Sequence, residues 1–215
     1  METYPKIPKA TASRLPLYYR YILHLEDQGV SKFSSKELSE ALDVDSATIR
    51  RDFSYFGELG KRGYGYDVKS VSEFFGKLLG EDRLMNIGVV GVGNLGSALV
   101  KFRFSAARSI RVSCAFDIKE DLVGRIVEGL PIYSMDDLAT QIEQQRLEIV
   151  ALTVPTEQAQ KVADQLVDAG IKGILNFTPQ LLQVPKSVQV QNVDLTGELQ
   201  TLIYYVNQER SNQQK

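Results

Sequence analysis

The stretch Met85–Gly96, MNIGVVGVGNLG, joins an apolar run to a glycine turn and a helix start, and its reading decides the fold. Ile87, Val89 and Val90 suit a buried parallel strand. Gly91, Gly93 and Gly96 complete G-x-G-x-x-G where a helix from Asn94 to about Ala107 should begin. In this pattern the first glycine permits a tight turn, the second lets backbone approach a pyrophosphate, and the third allows close helix–strand packing. The anion rests on the helix N-terminus, which brings Val92, Asn94 and Leu95 into the expected nucleotide site with the glycines. A lone motif of this kind is weak, because a glycine turn that binds nothing looks the same. The context narrows it: Ile110–Phe116, IRVSCAF, reads as a second strand ending on Asp117, at the separation where an acidic residue meets the adenosine ribose hydroxyls. Asp117, with Ile118 beside it, should accept paired hydrogen bonds from the ribose and repel a 2′-phosphate, although Lys119 leaves a small opening for one. NAD is favoured over NADP.

Beyond Asp117 the chain alternates LPIYSM, DDLATQIEQQ, LEIVALTVP, EQAQKVADQLVDAG and KGILNFTP, which predicts a doubly wound parallel sheet of Rossmann type and an α/β fold class. Ligands of such sheets lie outside the carboxyl ends of the strands. That places Thr153, Val154 and Pro155, and likewise Asn176, Phe177, Thr178 and Pro179, beside the cofactor. Val154, Pro155, Phe177 and Pro179 are expected to line a nicotinamide pocket without a counter-ion, where desolvation favours the neutral reduced ring. No His, Lys or Cys falls at a strand end, and Thr153 and Thr178 are poor acids or bases without an activating partner. A pocket that holds a nicotinamide without means to use it assigns no catalytic residue and argues against an enzyme.

A chain of 215 residues, 43% hydrophobic, can bury one ordinary core and a smaller second one, so two domains are expected. No apolar run approaches the roughly 20 residues of a membrane span, and METYPKIPKATASRLP is too polar and proline-broken for a signal peptide, which points to the cytoplasm and no membrane partner. The single cysteine, Cys114, rules out a disulfide framework or a cysteine zinc site within one chain. It reads as an inert core residue, and no metal is expected. The net charge of −2 gives no overall attraction to nucleic acid, so any DNA reading rests on local arrangement. Residues 1–80 are nearly balanced, with 12 Lys and Arg against 11 Asp and Glu.

Within those residues, Pro16 at a first helical position opens LYYRYILHLEDQG, with Leu17, Tyr21, Ile22 and Leu25 on one face and Gly29 as its stop. His24, the only histidine, has no cluster around it and reads as a surface or packing residue. Ser34 and Glu37 form a capping box for SKELSEAL, and Asp45 or Ser46 caps SATIRRDFSYF, which ends at Gly57. Two short helices on a tight turn suggest helix-turn-helix. Ile49, Phe53 and Phe56 give the second of them a packing stripe. Ser46, Arg50 and Ser54 with Ala47, Arg51 and Tyr55 face outward, and Thr48 lies in the first turn, a composition suited to a helix in the major groove. GELGKRGYGYDV then reads as a hairpin tipped by Lys61, Arg62, Gly63 and Tyr64, a wing whose cations could enter a narrow A/T-rich minor groove. Ser70 and Glu73 are expected to cap SVSEFFGKLLG, with a linker at Gly80, Glu81 and Asp82. The domains are thus drawn at 1–80, 81–195 and 196–215. The last comprises a helix, TGELQTLIYYVNQ, too apolar to be left in water, and a frayed polar tail; the helix is read as packing on a second subunit, because a helix-turn-helix normally acts as a dimer.

KATASRLPLYYRYIL, VDSATIRRDFSYFGELGKRGYGY, GVGNLGSAL, AFDI, LTVP, GIKGILNFTP and VDLTGELQ together resemble the Rex family of bacterial redox-sensing transcriptional repressors over nearly the whole chain. The resemblance implies a homodimer with winged-helix DNA-binding domains, Rossmann domains binding NADH or NAD, a C-terminal helix exchanged between subunits, and release from operator palindromes by NADH. Where relatives often carry a tyrosine after GxGxxGxAL this chain has Phe102, so a hydrogen bond from that hydroxyl to Asp194 is absent. The alternatives are an NAD-dependent dehydrogenase with a fused DNA-binding domain, which would turn over added alcohols or hydroxy acids, and a coenzyme A-binding module, which Asp117 suits less well than a free ribose diol.

Overall fold

The computed structural model describes residues 5–57, 59–61, 64–101 and 109–213. The chain divides into two compact units between Arg83 and Leu84. The first runs α1 (Lys9–Asp27), β1 (Lys32–Phe33), α2 (Ser35–Leu42), α3 (Ser46–Ser54), β2 (Gly60–Lys61), β3 (Gly65–Asp67) and α4 (Val68–Leu78). Its antiparallel sheet has the order β1-β3-β2. This is a winged helix, with β1 as a strand too short to stand out in the sequence. The capping box forms in full: Ser34 Oγ accepts from Glu37 N at 3.1 Å and Glu37 Oε2 from Ser34 N at 2.6 Å. Asp45 caps α3, accepting from Ala47 N and Thr48 N. Ile49, Phe53 and Phe56 are buried as their spacing requires. Phe53 is the hub of the core, with the rings of Tyr18, Phe33, Tyr66 and Phe75 all within 6.4 Å of its own, mostly edge to face.

Two helix starts differ from expectation. The first helix begins at Lys9, so Pro16 lies inside it. An interior proline costs about 3 kcal/mol. Here it sits on the exposed side, and the extra turns bring Thr11, Leu15 and Arg14 into contacts that offset it. The other is α4, which starts at Val68 rather than Ser70 because Asp67 accepts from both Ser70 N and Ser70 Oγ. A carboxylate is the better acceptor and takes the cap.

An ionic contact between a buried carboxylate and a half-buried guanidinium joins α1 to α3. Asp52, 2% exposed, accepts Nε and Nη2 of Arg14 at 2.7 and 2.8 Å, Tyr18 Oη at 2.7 Å and Thr11 Oγ1 at 2.8 Å. Burial alone would raise the Asp52 carboxyl, but the hydrogen bonds from Arg14, Tyr18 and Thr11 outweigh it and hold the group below the usual carboxylate range. Burial, and then the hydrogen bond to Asp52, push the Tyr18 hydroxyl up.

The second unit holds β4 (Met85–Val90), α5 (Asn94–Lys101), β5 (Ile110–Asp117), β6 (Ile126–Val127), β7 (Leu130–Ser134), α6 (Leu138–Gln145), β8 (Ile149–Leu152), α7 (Thr156–Asp168), β9 (Gly173–Asn176), β10 (Gln189–Asn192) and α8 (Leu195–Gln213). The expected continuation of α5 past Lys101, with Phe102, lies outside the described residues. The sheet order β10-β9-β8-β4-β5-β7-β6 is parallel except for the added β6. The chain steps outward from β4 to β7 on one side and then restarts at β8 on the other, the doubly wound arrangement. Cys114 is fully buried in β5, and burial pushes its thiol up to about 11. His24 is exposed. Among the described residues no helix is long and apolar enough to cross a membrane.

Because the folded Asp52 carboxyl titrates below its unfolded value, its stabilising contribution is complete above about pH 4 and is lost as pH falls through the folded value. Asp52→Asn should unfold about 1 to 3 kcal/mol more easily at neutral pH, since the Arg14 it leaves behind is partly exposed, and show a flatter acid limb, as measured by urea unfolding of the full chain at several pH values.

Candidate functional site

In the second unit the site is built where β4 and β8, on either side of the topological switch, release their chains. Gly91 adopts φ +92, and a side chain there would meet the Thr153 carbonyl at 2.8 Å. At Gly96 a Cβ would overlap the Gly91 carbonyl and stand 2.8 Å from Thr153 Oγ1. That hydroxyl donates within reach of the Gly91 and Val90 carbonyls, at 2.7 and 3.0 Å, so Thr153 acts as a brace of the turn. Gly93 differs: it is exposed, and nothing lies within 4 Å of where its Cβ would be. Open space over a backbone at a helix start is what a phosphate needs. Val92 is buried, whereas Asn94 and Leu95 are exposed at the start of α5.

The carboxylate of Asp117 closes the other side of the turn. Its Oδ2 accepts from Val92 N at 2.6 Å, and its Oδ1 from Ile118 N at 2.8 Å and Lys119 N at 3.0 Å. An ionised carboxylate offers about four acceptor positions. Three are taken, so a single position, on Oδ2, is left for a ribose hydroxyl. Paired acceptance of two hydroxyls is not available without displacing a backbone N–H, and in this structure Asp117 is a tether of the glycine turn.

A cavity of about 340 Å³ opens between these elements, lined by Gly91, Gly93, Asp117, Ile118, Thr153, Val154 and Pro155 together with Val90, Phe116, Lys119, Met135, Gln158 and Val162. It has the glycine turn and Asp117 in its wall and an apolar remainder, which fits an adenosine with its phosphates leading over Gly93. Gln158 and Val162 went unread in the sequence, although they follow from the start of α7 at Thr156, which turns its first face to the strand end.

Asn176, Phe177, Thr178 and Pro179 do not line this cavity. Asn176 is fully buried and saturated: its Nδ2 donates to the Gln180 carbonyl and Asn192 Oδ1, and its Oδ1 accepts from Thr178 N and Thr178 Oγ1. Neither Asn176 nor the Thr178 hydroxyl has a donor left for a ligand. They form a structural clamp that ties the loop after β9 to the end of β10. Half-buried Phe177 and exposed Pro179 remain on that loop. The four apolar residues expected around one ring are thus divided, with Val154 and Pro155 on the Asp117 side.

In the first unit, Arg50, Arg51, Ala47 and Ser54 are exposed on α3, with Ser46, Thr48 and Tyr55 half-buried. Arg50 Nη1 reaches Ser35 Oγ at 3.2 Å and Ser46 Oγ at 3.3 Å, which extends its guanidinium toward the start of α2. Ser54 Oγ donates to the Arg51 carbonyl at 2.6 Å, so that hydroxyl can accept but no longer donate to a phosphate. Lys61 belongs to β2, and Tyr64 beyond the hairpin tip is 73% exposed. Arg62 and Gly63 lie outside the described residues.

A winged helix with an outward basic face, followed by a sheet with a dinucleotide-type turn, defines a ligand-responsive DNA-binding regulator. Family models match in both parts: "Putative DNA-binding protein N-terminus" over residues 6–54 and "CoA binding domain" over residues 82–180. The redox-sensing transcriptional repressor Rex 1 of Enterococcus faecalis is 63% identical over 94% of this chain and 93% of its own, and Rex of Lactobacillus acidophilus 59% identical over 96% and 98%. The crystal structure of RSP, a Rex-family repressor, superposes with a TM-score of 0.88 at 34% identity over 99% of both chains. RSP in complex with beta-NAD+ and operator DNA gives 0.87 at 35% identity, covering 99% of this chain and 97% of that one. The chain belongs to the Rex family of redox-sensing transcriptional repressors.

The glycines predict separable effects. Gly96→Ala should lower stability by about 1 to 3 kcal/mol through overpacking against the Gly91 carbonyl and Thr153, whereas Gly93→Ala should melt within about a degree or two of the wild type. Thermal unfolding of the two variants side by side checks this.

Proposed function

We propose that this chain is a transcriptional repressor that reads the NADH/NAD ratio, binding operator palindromes as a homodimer and leaving them when NADH binds. The observation that carries this is the presence in one chain of an exposed Arg50–Arg51 face on α3 and an open Gly93 turn braced by Asp117 and Thr153. Residues 1–80 act as the DNA-binding domain and 81–195 as the nucleotide domain. Helix α8 joins the subunits: Leu199, Leu202, Ile203, Tyr205 and Val206 are each at least 41% exposed in the single chain, an apolar surface that needs cover. Arg50 and Arg51 supply base or phosphate contacts, and the wing residues Lys61 and Arg62 serve the flanking minor groove.

The nucleotide is held through its adenosine by Asp117, Ile118, Val154 and Pro155, and through its phosphates by Gly91, Gly93 and the start of α5. NAD and NADH share those parts and differ at the ring by one positive charge. Discrimination therefore falls to the loop bearing Phe177 and Pro179, which are uncharged and apolar, and to whatever the partner subunit presents there. When bound, the cofactor supplies only its redox state as a signal.

A ligand shifts an equilibrium only by what it binds better in one state, so operator DNA must weaken NADH binding by the factor by which NADH weakens operator binding. A coupling of about 1 to 3 kcal/mol is expected, measured as NADH affinity with and without saturating operator. An unchanged affinity would sink redox sensing by this route, and turnover of added hydroxy acids would favour a dehydrogenase. Gly93→Ala should lose NADH binding while staying folded. Arg50→Ala or Arg51→Ala should cost about 1 to 3 kcal/mol in operator affinity if the residue reads a base, and should flatten the salt dependence if it holds a phosphate.

A further inference from the structure

The carboxylate of Asp52 is saturated. Each oxygen accepts two hydrogen bonds, Oδ1 from Thr11 Oγ1 and Arg14 Nη2 and Oδ2 from Tyr18 Oη and Arg14 Nε, all between 2.7 and 2.8 Å. The donors stand at positions 11, 14 and 18, the i, i+3, i+7 row of α1, and Tyr18 is fully buried. On α3, Asp52 follows directly on the exposed Arg50 and Arg51 and precedes the aromatic hub Phe53.

An ion pair whose carboxylate is buried, here beside a half-buried guanidinium, is not a cheap source of stability. Apolar residues of similar volume often do as well or better, because the desolvation of two charges consumes the Coulombic gain. What a bidentate guanidinium–carboxylate fork supplies, and greasy packing does not, is direction. The aromatic rings around Phe53 fix how close α3 lies to the core, yet edge-to-face contacts tolerate rotation. Four aimed hydrogen bonds do not. A rotation of α3 by roughly 20° would sweep side-chain ends at a radius of roughly 6 Å through roughly 2 Å, enough to take an arginine out of hydrogen-bond reach of a base edge.

We infer that Asp52 is a positioning residue for DNA reading: its fourfold latch to Thr11, Arg14 and Tyr18 sets the rotation of α3, and so the register in which Arg50 and Arg51 meet the base edges. This rests on the reading of α3 as the base-reading helix. The latch touches no DNA itself. It therefore governs discrimination between sequences, while the attraction to any duplex, which comes from the exposed cations, stays as it is.

The test replaces the latch rather than breaking it. A fourfold apolar variant, T11V/R14M/Y18F/D52V, removes all its polar groups together, and Tyr18→Phe and Thr11→Val each remove one hydrogen bond. The probes are a duplex selected by the wild-type full-length protein from a randomised pool and a scrambled duplex of the same composition. Affinity for both is measured over a range of salt, with thermal unfolding alongside. The fourfold variant should melt close to the wild type and keep its scrambled-duplex affinity and salt slope, while the ratio of selected to scrambled affinity falls by about tenfold or more, as losing register with one base pair would cause. A ratio within about twofold of the wild type in that folded variant overturns the inference, leaving the latch a purely structural contact. If the fourfold variant does not fold, Arg14→Lys, which keeps the charge and loses the bidentate fork, decides with the single variants: a reduced ratio in a folded protein supports positioning, and an unchanged one in Arg14→Lys overturns it. A wild-type protein that selects no duplex defeats the reading of α3 and the inference with it. A wild type that selects, beside variants that select equally well, defeats the inference alone.

Discussion

Crowding at the glycine turn between β4 and α5 is the constraint on which the second unit depends. Backbone from β4, the start of α5 and the chain leaving β8 share a space with no room for a Cβ at Gly91 or Gly96. Thr153 binds the turn from one side and Asp117 from the other. Each tether comes from the end of a strand adjacent to β4, so the sheet order and the shape of the turn imply one another. Had β8 paired elsewhere, the Gly91 and Val90 carbonyls would lose the Thr153 hydroxyl and the turn its support. The exposed edge of the same turn, at Gly93, is left free of side chains, so a cradle for an anion comes from packing that the sheet requires anyway.

The first unit uses a different economy of forces. Its core sets an aromatic cluster centred on Phe53, whose ring attraction is weakly directional, among aliphatic side chains such as Ile22, Leu38 and Val71, supplemented by one strongly directional ionic contact at Asp52. In the second unit the buried polar groups are neutral or bonded to backbone: Asn176 to a carbonyl, an amide, a hydroxyl and a backbone N–H, and Asp117 to three backbone N–H groups. A parallel sheet already has its geometry set by ladders of hydrogen bonds. A helical module of this size lacks such a ladder across its packed helices, and a charged fork fills that role.

What could be read from the sequence was what short-range rules govern. The turn GVGNLG, the carboxylate ending IRVSCAF, the capping box of Ser34 and Glu37, and the stripe of Ile49, Phe53 and Phe56 all depend on neighbours within about one or two turns of chain. The start of α1 at Lys9 is hidden in the sequence because Pro16 is a strong local signal, and the contacts that override it lie 38 residues away or more at Asp52. Asp52 itself looks like any solvent-facing acid until α1 is packed against it. Asn176 fell at a strand end, where the general rule puts ligand groups. Its side chain is instead spent on a clamp whose partner, Asn192, lies 16 residues on. The strands β1 and β6, of two residues each, carry no periodicity that could announce them.

The brace between Thr153 and Gly91 also has a consequence for the order in which the molecule is made. The capping interactions of the first unit span three residues and the farthest reach of its Asp52 contacts is 41, whereas the Thr153 hydroxyl closes on a carbonyl 62 residues earlier. Contacts that distant form only after a long loop has been closed against its entropy, and synthesis runs from the N-terminus. Until β8 docks beside β4, the segment Gly91–Gly96 has its glycines but lacks one wall of its cradle. A nascent chain can therefore present a finished DNA-facing unit before the nucleotide pocket exists, and an interrupted chain ending short of Thr153 would keep the first without ever acquiring the second.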